Sequence, residues 1–106
     1  MLNISDELAR GNKVSREDIE EWVTDQFEGR TLSHSDLEHV CDCLEDLVYW
    51  YLDGRPLGGF LSAVLKNDFM QACTRADIVN RKVLPLYAKF VFNCLPADYS
   101  LMVHFD

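Results

Sequence analysis

Four cysteines and three histidines are the residues of this chain best suited to nucleophilic or metal chemistry. Cys41 and Cys43 lie close in sequence to His34 and His39, a set that would hold zinc if its members converged. On a helix they diverge, because residues i and i+2 point about 200° apart. Strong zinc sites use longer spacers and several ligands meeting at one point. Buried reduced thiols are the better reading of Cys41, Cys43, Cys73 and Cys94, since free cysteine is among the most buried residue types. His104 sits in the tail with nothing to orient it, so no Cys–His nucleophile is assigned. No metal, cofactor or catalytic residue is expected, and no enzyme.

Two further groups invite a chemical reading. The turn GRPLGG at 54–59 is glycine-rich, but it lacks the GxxxxGK[ST] pattern and follows no strand. Gly54, Gly58 and Gly59 therefore read as a structural turn. Asp68, Asp77 and Asn80 form a polar set with two readings. They brace a helix–turn–helix, Asp68 accepting backbone N–H groups or pairing with Arg55 or Arg75, and Asn80 fixing a loop carbonyl. Or they line a polar pocket for a ligand or a partner's side chain. Carboxylates do acid–base work only where a cleft shifts their pKa values.

Charge points to a third place. Residues 1–53 hold 14 Asp/Glu and 4 Lys/Arg; residues 54–106 hold 4 and 6. The net charge of −8 argues against direct nucleic-acid binding. Glu38, Asp42, Glu45 and Asp46 share one helix side, with Tyr49 among them and Trp50 at the border. This is either a solvated face or a binding face. Aromatics set amid charge resemble interface hot spots. Such a face suits a basic protein groove, including one that normally holds nucleic acid.

The elements that position these residues read as helices. A turn at residues 5–11, with Ser5 as cap and Gly11 as stop, is either a short helix or flexible chain within residues 1–14. Ser15 opens the next helix, with Glu17 and Asp18 suited to its positive end. Ile19, Trp22, Val23 and Phe27 follow at helical spacing, and Gly29 ends it. The box SDLE at 35–38 opens a helix running to about residue 53. Its apolar positions from Leu37 to Leu52 fall within an arc of roughly 140°. After the glycine turn a third long helix spans about 60–73, which places Asp68 on its core-facing arc. The box TRAD at 74–77 opens a fourth, 76–94. Pro85 either kinks it away from the core or breaks it at Leu84. Residues 97–106 read as an extended tail, of which 99–106 alternate in a strand period with no second strand to pair with.

The fold expected is all-α: one small domain, residues 1–106, of four main helices, antiparallel and bundle-like, with a short extended C-terminal tail. The N-terminus shows no apolar h-region, and no run reaches the roughly 18 apolar residues of a membrane span. A cytoplasmic chain with reduced thiols and no membrane contact is expected.

The block of Gly54 and Pro56, Gly58-Gly59-Phe60-Leu61, Ala63-Val64-Leu65, Asn67-Asp68, Ala72, Ala76-Asp77 and Asn80 resembles a group of small bacteriophage and prophage proteins. The resemblance covers about residues 51–96. It carries no activity with it, but it implies a mobile-element origin and residence in a bacterial host cell. Small acidic phage proteins often bind and disable a host factor, and anti-CRISPR proteins are one such class. Two functions follow as expectations. One is a non-catalytic inhibitor or adaptor working by protein–protein contact. The alternative is a self-associating structural or regulatory protein, dimerising through the tail or a helix face.

Overall fold

Apolar residues on one side of a 20-residue helix set the frame of the molecule. The computed structural model describes residues 3–26 and 32–102. Helix α3 (His34–Asp53) buries Val40, Cys41, Leu44, Leu47 and Val48, the arc read from the sequence. Its start lies two residues earlier than the SDLE box implies. Ser33, in extended backbone, accepts the Asp36 N–H at 3.2 Å. Gly54 closes the helix in the left-handed region, φ 72°, its N–H reaching the Trp50 carbonyl at 2.9 Å.

Two elements precede α3. Helix α1 (Ile4–Ala9) buries Ile4 and Leu8. Asn3 caps it, accepting the Asp6 N–H at 3.0 Å, so Ser5 lies inside the helix rather than at its cap. Helix α2 (Arg16–Gln26) buries Ile19, Trp22 and Val23. Ser15 starts it as expected, its Oγ accepting the Asp18 N–H at 3.2 Å and donating to the Asp18 carboxylate at 2.8 Å. The expected Phe27 contact and Gly29 stop lie outside the described residues.

Each of the two long helices expected after the glycine turn is divided. The first becomes α4 (Gly59–Leu65) and α5 (Phe69–Arg75). Asn67 breaks it with φ 57°, a conformation that asparagine tolerates better than most residues. Asp68 then caps α5, accepting the Gln71 N–H at 3.1 Å. A core-facing Asp68 is thereby corrected: its side chain is exposed, because the helical phase does not run through the break. The second becomes α6 (Ile78–Lys82) and α7 (Leu84–Cys94). Asp77 caps α6, and the chain breaks into two helices, one of the two outcomes left open for Pro85, at Val83, one residue before the expected Leu84. Proline now sits in a first turn, where its missing N–H has no helical partner to lose.

The tail reading is corrected too. Residues Ala97–Met102 wind into a 3-10 turn, not an extended segment. The Tyr51 hydroxyl donates to Asp98 at 2.8 Å and Tyr99 packs on the core, which holds the turn against α3. Residues 103–106 lie outside the described residues.

The all-α reading holds, with no strand among the described residues. Helix α2 packs on α3, α1 on α3 and α7, α6 on α3, and α4 on α5 and α7. Tyr87, Phe90, Leu8, Ile19, Leu44 and Leu47 are fully buried where these elements meet. Trp22 meets Phe90 edge-on at 5.2 Å, and Phe60 meets Tyr87 at 5.4 Å. The chain extends 38 × 33 × 18 Å, so its thin dimension is little more than two helix layers.

Gly54→Ala tests the α3 exit. A Cβ there meets nothing within 4 Å, so the cost is backbone strain alone, about 1 kcal/mol. A urea midpoint lowered to that extent with an unchanged m-value is the expected result.

Candidate functional site

The acidic side of α3 is organised by one cation from α2. Arg16 Nη1 pairs with Asp42 at 2.9 Å and with Glu45; Nη2 donates to the Glu38 carbonyl at 3.0 Å. Its Nε lies 3.6 Å from Glu20 on its own helix. Withdrawal from water works against the charged guanidinium. The Glu45 and Asp42 carboxylates outweigh it and hold the Arg16 pKa above the usual arginine value.

This divides the predicted binding residues. Glu45 is 27% exposed and engaged with Arg16, whereas Asp42 keeps 70% of its side chain in solvent. Glu38 is exposed, with His34 Nε2 at 3.3 Å. Asp46 is exposed, and its pKa is raised by partial burial first and by Asp42 and Glu45 next. Tyr49 lies under the Arg55 guanidinium, 4.4 Å from the ring centroid. Trp50 is half-buried and packs against the core. Glu38, Asp42 and Asp46 therefore remain at the surface, Glu45 and Tyr49 are half-buried beside them, and Trp50 packs on the core. Glu17, Glu21 and Asp25 of α2 add exposed negative charge.

The polar set Asp68, Asp77 and Asn80 is not one site. Asp68 caps α5 and Asp77 caps α6, each with its Oδ1. The arginines considered for Asp68 are occupied elsewhere: Arg55 over Tyr49, and Arg75 donating to Gln71 at 3.1 Å. Asn80 is only 5% exposed. It accepts the Tyr87 hydroxyl proton, and Cys43 Sγ stands 3.8 Å from its amide nitrogen. One turn from Cys43 on α3, His39 Nε2 lies 2.9 Å from Asp77 Oδ2, but out of line for a hydrogen bond.

Five residues thus clasp α6 and α7 to α3: His39, Cys43, Asp77, Asn80 and Tyr87. The His39–Cys43 spacing of four residues was visible in the sequence. Their convergence on Asn80 was not, since it depends on the break after Lys82. The group does not activate a nucleophile. Burial raises the Cys43 and Tyr87 pKa values, which keeps both protonated at neutral pH. Burial also pushes Cys41 up to about 11 and Cys94 up to about 12. All four cysteines are free thiols. Among the described residues no three of His, Cys, Asp and Glu gather to hold a metal ion.

The glycine turn divides by cause. Gly54 is needed for its positive φ, whereas Gly58 caps α4 in extended backbone with open space around it. At Gly59 a Cβ would come within 2.8 Å of the exposed Arg75 side chain, which would have to swing aside to admit it. Among the described residues no helix is long and apolar enough to cross a membrane. The chain matches no protein-family model, and neither a curated protein nor a solved structure shows significant similarity to it.

Two measurements test these assignments. Tyr87→Phe removes one donor and leaves buried Asn80 short of a partner, for an expected loss of about 1–3 kcal/mol. The double variant Tyr87→Phe/Asn80→Leu, lacking both polar groups, is expected to lose less than the sum of the two single changes. At the acidic face, a raised carboxyl pKa means the folded state keeps its proton to higher pH than the unfolded state. Asp46 then subtracts stability as pH rises above about 4. Asp46→Asn is expected to gain up to about 0.5 kcal/mol at pH 7. The gain should vanish below about pH 3, where the carboxyl is protonated in both states, as urea melts at the two pH values would read.

Proposed function

We propose that this protein is a non-catalytic accessory protein of a bacteriophage or other mobile element, acting inside a bacterial cell by protein–protein contact. Its acidic α3 side, with the exposed acids of α2, meets a basic surface of a host protein. A host defence or nucleic-acid-binding complex presents such a surface, which makes an anti-CRISPR-like inhibitory role the specific form of the proposal. The resemblance of residues 51–96 to small phage proteins supports the origin. The observation that carries the binding mode is the exposed group of Glu38, Asp42 and Asp46 beside Tyr49.

On this reading the carboxylates of the face would contribute unequally. Arg16 already neutralises much of Glu45, so a partner's cations would meet Glu38, Asp46 and the free side of Asp42. Arg55 over Tyr49 is the arrangement that a partner's arginine would copy or displace. Contacts of this kind steer association and weaken with salt.

The test uses the immobilised chain against lysate of a bacterial host. Asp42 and Glu45 are left intact, because reversing them would unseat Arg16 and confuse folding with binding. Glu38→Lys/Asp46→Lys, with a wild-type circular dichroism spectrum, is expected to retain at least about tenfold less of the captured protein. Raising the salt to about 0.5 M should weaken wild-type capture similarly. Capture of the same protein by the double variant, with the same salt profile, would refute the acidic face as the contact.

A further inference from the structure

A second surface, on the opposite half of the sequence, has the features of a self-complementary contact. Helix α7 buries Leu86, Tyr87, Phe90, Val91 and Cys94, yet leaves Phe92 84% exposed. A single exposed aromatic is ordinary. This one stands at the edge of a groove of about 450 Å³ between α4, α7 and the 3-10 turn, with Val64, Ala88 and Tyr99 among its walls. The groove continues past Val64, Asn67 and Ala88 into a smaller recess bounded by Asp68 and Leu84. One face thus carries a protruding apolar side chain and, a helical turn away, a furrow floored by the small side chain of Ala88.

Charge selects the occupant. The same furrow has Lys89 on one stretch and Asp68 on the next. Lys89 pairs with no carboxylate among the described residues, and Asp68 spends only one oxygen on its helix cap. A uniformly basic or acidic partner would meet one of the two badly. A second copy, related by a two-fold axis, presents each charge to its opposite. The face also lies in the half of the chain with 4 acids and 6 bases, so the strongly negative half can stay clear of its counterpart.

From this juxtaposition we infer that two copies of the chain associate through α7, each Phe92 seated in the other's groove over Ala88. The axis passes between Ala88 and Phe92, which share one side of the helix at i and i+4. Lys89 of each copy then approaches Asp68 of the other. This contact is independent of the acidic α3 side, so a dimer would present two acidic faces to a partner.

Sedimentation equilibrium over a range of concentrations tests it. The wild-type chain is expected to pass from 12.2 kDa to twice that mass. Phe92→Glu and Ala88→Trp, one removing the protruding ring and one filling the furrow, are each expected to weaken association about 30-fold or more. Both positions are exposed, so circular dichroism should show an unchanged fold. Glu38→Lys/Asp46→Lys should dimerise as the wild type does, which separates this contact from the proposed host-binding face. A chain that stays monomeric at every concentration overturns the inference. So does a dimer that survives both substitutions.

Discussion

In the acidic half of this protein, a single guanidinium answers much of the charge crowded onto one side of α3. Carboxylates at positions 38, 42, 45 and 46 stand three and four residues apart on one helix, a spacing at which like charges repel. Arg16 answers that repulsion from a neighbouring helix, reaching Asp42, Glu45 and the Glu38 carbonyl at once. The same contact bridges α2 and α3 at the surface, on helices whose packing buries Ile19, Trp22 and Val23. One side chain of α2 thus answers the charge on α3 that the apolar packing leaves at the surface. What remains at the surface is not a bare row of acids but a partly answered one, in which Asp46 feels Asp42 and Glu45 more than Arg55.

The other half is built differently. Instead of long rods it uses short helices separated by breaks, with aspartates marking two of the starts. Asp68 and Asp77 accept the third N–H group of α5 and α6, from Gln71 and Asn80, and Pro85 occupies a first turn. Such pieces would be marginal alone. Buried contacts secure them: Leu61 and Leu65 on α4, Val83 and the inner side of α7, and the clasp of Asn80 with Tyr87 and Cys43. Dividing the chain in this way turns side chains that a continuous helix would bury out to solvent, and it leaves a furrow beside α7.

The acidic half was the more legible part of the sequence. Periodic apolar positions located α2 and α3, and Ser15 and Gly54 marked ends that form where expected, because caps and left-handed glycines act locally. The breaks were less legible. Asn67-Asp68 sits inside an apolar period, and reading the period straight through it put Asp68 in the core. Local hydrogen bonding by the aspartate won over the continuity of the pattern. Ser33 took the cap from Ser35 for a similar local reason. The polar clasp was hidden more deeply, since His39, Cys43, Asn80 and Tyr87 come from three helices and meet only after packing. The acids of α3 were found from spacing alone, but the cation that divides them came from a helix whose approach no periodicity fixes.

The thiols have one last consequence. Cys41 and Cys94 are enclosed, on the acidic helix and the last α-helix, and burial keeps both protonated at neutral pH. A reagent in solution can reach them only when the layers part. The chain therefore carries its own pair of sentinels for breathing of the core, one in each half.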